Sequence, residues 1–260
     1  MFCLRFLPFL LLAVAAFLLV GWSTSRHEAG PPSEPTVPLP PARPDADAVR
    51  LLDAAARALD PQQVKWVETT VWQKVTLADF AYQAEGRYRA GPDHRFRLEL
   101  RTRQGDTEGL LRVVSDGRVI RQEVWIDNKL SESSVTEEQT PALARPAGDE
   151  LARNPLAGGV AALVDSLRQQ MVWVARQTVR RGDRPYHRLT GVWPGASPPA
   201  EARTPRLARL YLEPQTLWPH RLEWWGLDPP RAGDVLLMQT EFRDRQMSRD
   251  RQGAAEQTAP

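Results

Sequence analysis

Eleven segments of this sequence alternate apolar and polar residues with a period of two, and no other feature constrains the fold as strongly. In residues 80–90, for example, the residues Phe80, Tyr82, Ala84, Gly86 and Tyr88 alternate with Gln83, Glu85, Arg87 and Arg89. Such alternation is typical of strands that have one apolar face and one solvated face. Hairpin-length connections predict an antiparallel meander. The predicted strands are residues 64–77, 80–90, 95–102, 110–115, 118–127, 129–136, 172–181, 185–193, 206–212, 217–225 and 235–242.

Two segments have the spacing of amphipathic helices instead. One begins near Asp47, with Asp45 or Asp47 available as its N-cap and Pro61 beyond its end. The other covers residues 159–170. Their apolar stripes are Ala48, Leu51, Leu52, Ala55, Ala56 and Leu59 in the first helix, and Val160, Leu163, Val164 and Leu167 in the second.

The N-terminal region predicts export. The apolar run at residues 6–20 follows Arg5 and precedes small residues, which is typical of a signal peptide, and the longer segment from Leu4 to Trp22 is also just long enough for a tilted membrane anchor. Half of the residues from Pro31 to Pro44 are proline, which predicts an extended spacer. We therefore expect a signal peptide or signal anchor at 1–25, a linker at 26–46, one domain at 47–247 and a disordered tail at 248–260. The expected location is periplasmic, either soluble after cleavage or anchored to the inner membrane.

Composition and motifs exclude several classes of function. The formal net charge is +2, and charges of both signs are interspersed, so we expect no nucleic-acid partner. The only cysteine is Cys3, and no phosphate loop or zinc signature occurs. His94, His187 and His220 lie on separate strands or turns without companions. We expect no catalytic residue, no cofactor and no metal. The carboxylates of Glu99, Glu123 and Glu223 alternate with arginines and predict solvated ion pairs.

The Ser115-Asp116-Gly117 stretch is interpreted as a hairpin turn. A serine nucleophile needs a base and an oxyanion site, and the sequence indicates neither. Asp-Gly instead supplies the positive φ angles of a two-residue type I′ turn. This turn predicts that Ser115 pairs with Arg118 and that Val113 pairs with Ile120.

An eleven-strand antiparallel sheet with only two clear helices has a wide apolar face, so either the sheet closes on itself or it keeps an apolar cavity. An elongated apolar cavity suits acyl chains, in which each buried CH₂ contributes about 0.8 kcal/mol. Eight tryptophans follow the leader and add to the apolar surface. The expected lining residues are Val71, Val75, Phe80, Tyr82, Tyr88, Phe96, Leu98, Val113, Ile120, Val124, Leu163, Leu167, Leu222 and Trp224.

The order of these segments resembles the LolA-like outer-membrane lipoprotein-sorting family over about residues 48–247. The likeness is carried by VVSDGRVIRQEVWID at 113–127, GDRPYHRL at 182–189 and LARLYLEPQTLWPHRLEWWG at 207–226. It implies a mainly β fold, an open antiparallel half-barrel wrapped over two or three helices, whose interior takes the acyl chains of lipoproteins in the periplasm. It implies neither an enzyme nor a metal.

Two functions follow from this interpretation. The first is an exported protein that binds lipids or lipoproteins, with a place in lipoprotein sorting to the outer membrane. The alternative is a membrane-tethered sensor or interaction domain of the same fold, of the type that regulates anti-sigma factors, without carrier activity. The proline spacer and the unresolved choice between cleavage and anchoring motivate this alternative.

Overall fold

The computed structural model describes residues 43–60, 66–77, 80–137, 155–194, 205–227 and 234–247. The predicted signal, nearly all of the predicted linker and the predicted tail lie outside these residues. No helix in the described ranges has the length and apolarity needed to cross a membrane.

Two helices begin and end close to their predicted positions. Helix α1 spans Ala46–Ala58, and the Asp45 side chain accepts hydrogen bonds from the amides of Asp47 and Ala48 at 2.8 and 3.1 Å. Asp45, one of the two candidate caps, is therefore the N-cap. Helix α2 spans Gly159–Gln170, as the periodicity predicts.

The described strands form one antiparallel sheet, and most strands that pair in the sheet are also consecutive in the sequence. They are β1 (Val67–Leu77), β2 (Phe80–Ala90), β3 (Arg95–Gln104), β4 (Thr107–Asp116), β5 (Val119–Ile126), β6 (Lys129–Glu137), β7 (Val172–Arg181), β8 (Arg184–Val192), β9 (Pro205–Leu212), β10 (Pro219–Leu227) and β11 (Asp234–Met247). All eleven predicted strands are confirmed, with differences at their ends.

The sheet consists of two meanders, β1 to β6 and β7 to β11. They are joined by pairing between the first strand, β1, and the last strand, β11. Its strand order is β6-β5-β4-β3-β2-β1-β11-β10-β9-β8-β7. Strands β1 and β11 pair in antiparallel fashion, with Val71 opposite Phe242, and this seam unites the halves. Strands β6 and β7 are the free edges. The fold is therefore an open half-barrel, as the sequence predicts.

The turns set the register of the sheet, and one predicted register is wrong. Leu77 pairs with Phe80 across the first hairpin, as predicted. In the β4–β5 hairpin, however, Ser115 pairs with Ile120 instead of Arg118. The Asp116 carboxylate accepts hydrogen bonds from the amides of Arg118 and Val119 at 2.8 and 2.9 Å. Four residues instead of two therefore separate the last paired residues, Ser115 and Ile120. The error is two residues, which leaves the inward faces unchanged because side chains alternate with that period.

The apolar core lies between the inner face of the sheet and the two helices. Fully buried side chains from β3, β9 and β10, including Leu98, Leu210 and Trp224, belong to the same cluster as Leu52 of α1 and Leu163 of α2. Both helices thus fill the concave side of the half-barrel. Gly86 permits a close approach of β2 and β3, since a Cβ there would lie 1.7 Å from the Glu99 carbonyl oxygen.

The outer face of the C-terminal half carries a buried charge network, which corrects a prediction. Glu223 is 2% exposed instead of solvated. Its carboxylate pairs with Arg221, lies 3.5 Å from Arg181 Nη1, and accepts hydrogen bonds from Tyr211 at 3.2 Å and Trp225 at 3.1 Å. Long neighbouring side chains exclude water from this carboxylate, an effect that alternation alone does not reveal.

Candidate ligand-binding groove

A groove of about 350 Å³ lies where the helices meet the end of the sheet. Its walls are the C-terminal half of α1, the first two turns of α2, and the β2–β3 turn. Trp218, just before β10, completes the lining. Four separate parts of the sequence therefore converge at this site. The lining residues are Asp53, Ala56, Arg57, Leu59, Asp60, Val67, Tyr88, Ala90, Gly91, His94, Arg95, Phe96, Gly158, Val160, Ala161, Ala162, Asp165, Arg168 and Trp218.

The floor of the groove is apolar and aromatic. The rings of Tyr88 and Phe96 lie 6.1 Å apart, and Trp218 meets Phe242 edge to face at 6.3 Å. The Tyr88 hydroxyl accepts a hydrogen bond from the Val160 amide at 3.0 Å. Burial raises the pKa of Tyr88 far above its ordinary value, so the hydroxyl stays neutral. The floor therefore offers apolar contact without a formal charge.

The approach of α2 to this floor depends on Gly159. Its φ angle is +79°, and a Cβ there would lie 2.9 Å from the Tyr88 hydroxyl oxygen and 3.2 Å from the Phe96 ring. The N-cap residue of α2, Gly158, supplies no side-chain hydrogen bond. The Tyr88 hydroxyl, which belongs to strand β2, accepts a hydrogen bond from the start of the helix instead and holds it against the floor.

The rim of the groove is charged. Arg168 of α2 lies 2.8 Å from Asp165 and 3.4 Å from Asp53, and so ties α2 to α1. These hydrogen bonds raise the pKa of Arg168. His94 and Arg95 of the β2–β3 turn and Arg57 near the end of α1 also line the groove.

The β2–β3 turn is held in an unusual backbone conformation. Asp93 and His94 both have a φ of +60°, and the Gly91 amide donates to the Arg95 carbonyl at 2.9 Å. Gly117 of the β4–β5 hairpin packs against this turn, because a Cβ there would lie 2.2 Å from the Asp93 carbonyl oxygen. The Ser115-Asp116-Gly117 stretch therefore buttresses the rim of the groove.

Comparisons with known proteins give distant structural likenesses only. No protein-family model matches the chain, and neither does any curated protein sequence. Solved structures similar to this chain include lipoprotein-sorting domains. One is a domain assigned to outer membrane lipoprotein sorting in Vibrio parahaemolyticus, which is 8% identical with a TM-score of 0.33, covering 81% of this chain and 98% of that one.

Two further matches have comparable scores. LprF from Mycobacterium bovis is 9% identical with a TM-score of 0.38, covering 78% of this chain and 94% of that one. The MucA/MucB complex of Pseudomonas aeruginosa contains a chain that is 17% identical with a TM-score of 0.37, covering 80% of this chain. The match spans 60% of that chain's length. With identities and TM-scores this low, the likeness concerns the fold and says nothing about the ligand or partner of this protein.

The residues predicted to line an acyl cavity occupy three kinds of position. Tyr88 and Phe96 line the groove. Tyr82 and Val124 are half-buried, and the side chain of Phe80 lies outside the described part. Contact of this set with a ligand stays a prediction. The remaining members are buried between sheet and helices: Val71, Val75, Leu98, Val113, Ile120, Leu163, Leu167, Leu222 and Trp224.

The sequence did not single out several groove residues. Arg57 and Arg95 belong to no motif, His94 is considered only as an isolated histidine, and Trp218 lies 50 residues beyond Arg168, the nearest other lining residue in the sequence. Two observations could have drawn attention to them: the Gly-Pro-Asp-His turn, and the placement of Trp218 directly after a turn whose Leu217 has a φ of +55°.

The described histidines lie apart and offer no obvious metal or acid–base site. His220 stacks on Tyr186 with ring centroids 4.4 Å apart, and burial lowers its pKa. Burial and the nearby Arg176 lower the pKa of His187. Among the described residues, no group of three or more His, Cys, Asp or Glu side chains could hold a metal ion.

Proposed function

We propose that this chain is an exported protein that binds lipids or lipoproteins and holds their acyl chains between the half-barrel and its helices. The observation that carries the proposal is the groove at the helix–sheet boundary, with its aromatic floor and charged rim. At about 350 Å³ it falls within the range of about 300–1,000 Å³ that small-molecule sites occupy. A ligand that combines an apolar chain with a polar end matches both surfaces.

The inner face of the sheet could extend the groove into a longer channel. Leu163 and Leu167 of α2 pack on the same apolar cluster to which the floor belongs. If α2 moved away from the sheet, an acyl chain would replace these contacts with equivalent ones. Burial of ten CH₂ groups contributes about 8 kcal/mol, which would offset the cost of displacing a helix. In this proposal the helices occupy the cavity predicted from the sequence until an acyl chain displaces them.

Binding of a dansyl-labelled fatty acid tests the proposal. Ala161→Phe places a ring in the groove from α2 and should weaken binding by at least about tenfold. Ala81→Phe makes the same change at an exposed site on β2 and should leave binding unaltered. Saturable binding by the unmodified protein, lost in the first variant only, supports the proposal. Absence of saturable binding, together with absence of co-purifying lipid in native mass spectrometry, contradicts it.

The proposal includes a place in lipoprotein sorting to the outer membrane. Its alternative is a membrane-tethered sensor or interaction domain of the same fold. Fractionation of cells that produce the full chain separates them. A mature soluble protein whose N-terminus lies near residues 23–26 fits a carrier that moves between membranes. Retention of residues 1–25 in the inner membrane removes free diffusion and favours the alternative.

A further inference from the structure

The carboxylates and the cations of the groove rim differ in how they are paired. Asp53 and Asp165 both contact Arg168, and Asp60 also has an interaction partner. In contrast, no side-chain hydrogen bond or ion pair joins Arg57, His94 or Arg95 to any described residue; we call the two arginines, Arg57 and Arg95, the open cations.

The open cations differ from Arg168 in pairing, although the groove lining as a whole holds three arginines and three aspartates. Each open cation presents several N–H donors in a fixed fork. Two of the three lining aspartates, Asp53 and Asp165, are engaged with Arg168. An anion at this end of the groove would therefore meet donors that need no prior ion pair to break, which favours binding of carboxylate or phosphate oxygens.

The β2–β3 turn holds one of the open cations, Arg95, in place. His94 and Arg95 follow Asp93 in a hydrogen-bonded turn with positive φ angles, and Gly117 packs against the same turn from β4–β5. Positive φ at residues other than glycine is uncommon and is often found at functional sites. Less conformational entropy is lost on binding when donors are positioned in advance.

Trp218 supplies a second, independent observation. Its side chain is 5% exposed and lines the groove, yet its indole N–H has no hydrogen-bond partner among the described residues. A buried donor without an acceptor carries a desolvation penalty that no hydrogen bond offsets. The indole nitrogen has less than 1 Å² of accessible surface, so an ester or acid oxygen would provide the missing acceptor only after the neighbouring side chains had shifted.

We infer that the groove selects amphiphiles with an anionic head group, whose carboxylate or phosphate binds the open cations while the acyl chain lies on the Tyr88 and Phe96 floor. This inference rests on the proposed function, because it assigns the head group of the lipid that the groove holds. It predicts discrimination by charge among ligands with the same chain.

Two probes with one chain test the inference: dansyl-labelled undecanoic acid and its uncharged methyl ester. The unmodified protein should bind the acid at least about tenfold more tightly than the ester. Arg57→Gln with Arg95→Gln should reduce the affinity for the acid to that for the ester, and Arg95→Gln alone should give an intermediate value. Arg180→Gln removes an exposed arginine that does not line the groove and should retain the full difference.

The outcomes separate this inference from the proposed function. Equal binding of acid and ester overturns the head-group inference and leaves acyl binding intact, whereas binding of neither probe overturns both. Displacement of the acid by inorganic phosphate at micromolar concentrations would identify a site for a free anion and would also overturn the inference. Circular dichroism confirms that each variant is folded, which is expected because Arg57 and Arg95 are exposed.

Discussion

Gly117 links the most recognisable motif of the chain to the groove. With a φ of +94° it occupies a conformation that favours glycine, and the space beside its Cα is filled by the Asp93 carbonyl group. Two structural demands therefore require glycine at this position: the positive φ angle and the close contact with the backbone of Asp93. Neither demand involves catalysis, and the second fixes the turn that carries His94 and Arg95.

The two demands can be separated by substitution. Gly105 also has a positive φ, +60°, but a Cβ there would meet no atom within 4 Å. Gly105→Ala should therefore cost only the conformational strain, about 1 kcal/mol of unfolding free energy. Gly117→Ala adds a clash with backbone and should cost about 1–3 kcal/mol more. Urea unfolding measures both values, and equal destabilisation by the two substitutions would argue against the buttress.

At the scale of elements, the sheet holds α2 at both ends. The Tyr88 hydroxyl accepts from the Val160 amide at the start of the helix, and the Trp173 indole N–H donates to the Leu167 carbonyl at 3.0 Å near its end. The first bond satisfies an amide that a helix leaves without a partner, and the second adds to the hydrogen bond that the Leu167 carbonyl already accepts from the Met171 amide at 3.2 Å. The position of α2 over the groove thus depends on side chains from β2 and β7.

Removal of the Tyr88 hydroxyl tests this attachment. Tyr88→Phe leaves the Val160 amide buried without an acceptor and should lower the unfolding free energy by roughly 1–3 kcal/mol. Tyr186 is also buried, but its hydroxyl has no described partner. Tyr186→Phe should therefore change stability by less than about 0.5 kcal/mol. Similar losses in the two variants, measured by denaturant unfolding, would show that the helix start does not depend on Tyr88.

Elements and groove differ in how far the sequence predicts them, for physical reasons. Strand positions are encoded locally, because alternation must match burial at each residue, and β2 and α2 begin and end where the pattern predicts. The β4–β5 register depends on which backbone amides the Asp116 carboxylate binds. The Asp116-Gly117 dipeptide alone does not determine these amides. The groove is less local still. Its Arg57, His94 and Trp218 meet only after the helices dock, and no periodicity encodes that contact.

At the scale of the whole molecule, each half of the sheet contains a network of arginines around a carboxylate. In the N-terminal half, Glu99 accepts from Arg97 at 2.6 Å and from Arg112 at 3.1 Å across β3 and β4. Near the seam, Glu241 of β11 accepts from Arg221 of β10 at 2.8 Å and from Arg243 at 2.8 Å. Arg243 also lies over the Trp72 ring of β1 at 4.9 Å, so the second network spans the junction of the two meanders.

These networks predict acid-sensitive stability. Burial raises the pKa of Glu241, but hydrogen bonding by Arg243 and the charge of Arg221 outweigh this effect, and the net pKa is lowered; the pKa of Glu99 is lowered in the same way, with Arg97 and Arg112 opposing burial. A carboxyl group whose folded pKa lies below its unfolded value, about 4.3 for Glu, contributes stability that is present above that value. The contribution is lost as pH falls through the folded pKa.

The unfolding free energy should therefore decrease first below about pH 6.5, where the unfolded chain protonates His187 and His220 more readily than the folded protein does, and again below about pH 4.3. Glu241→Gln removes one titrating group, so the variant should be less stable at neutral pH and should lose less stability on acidification. Glu85→Gln changes an exposed carboxylate without a described ion pair and should keep the pH profile of the unmodified protein. Urea unfolding at several pH values compares the three proteins. Parallel profiles for Glu241→Gln and the unmodified protein would show that the seam network does not couple stability to pH.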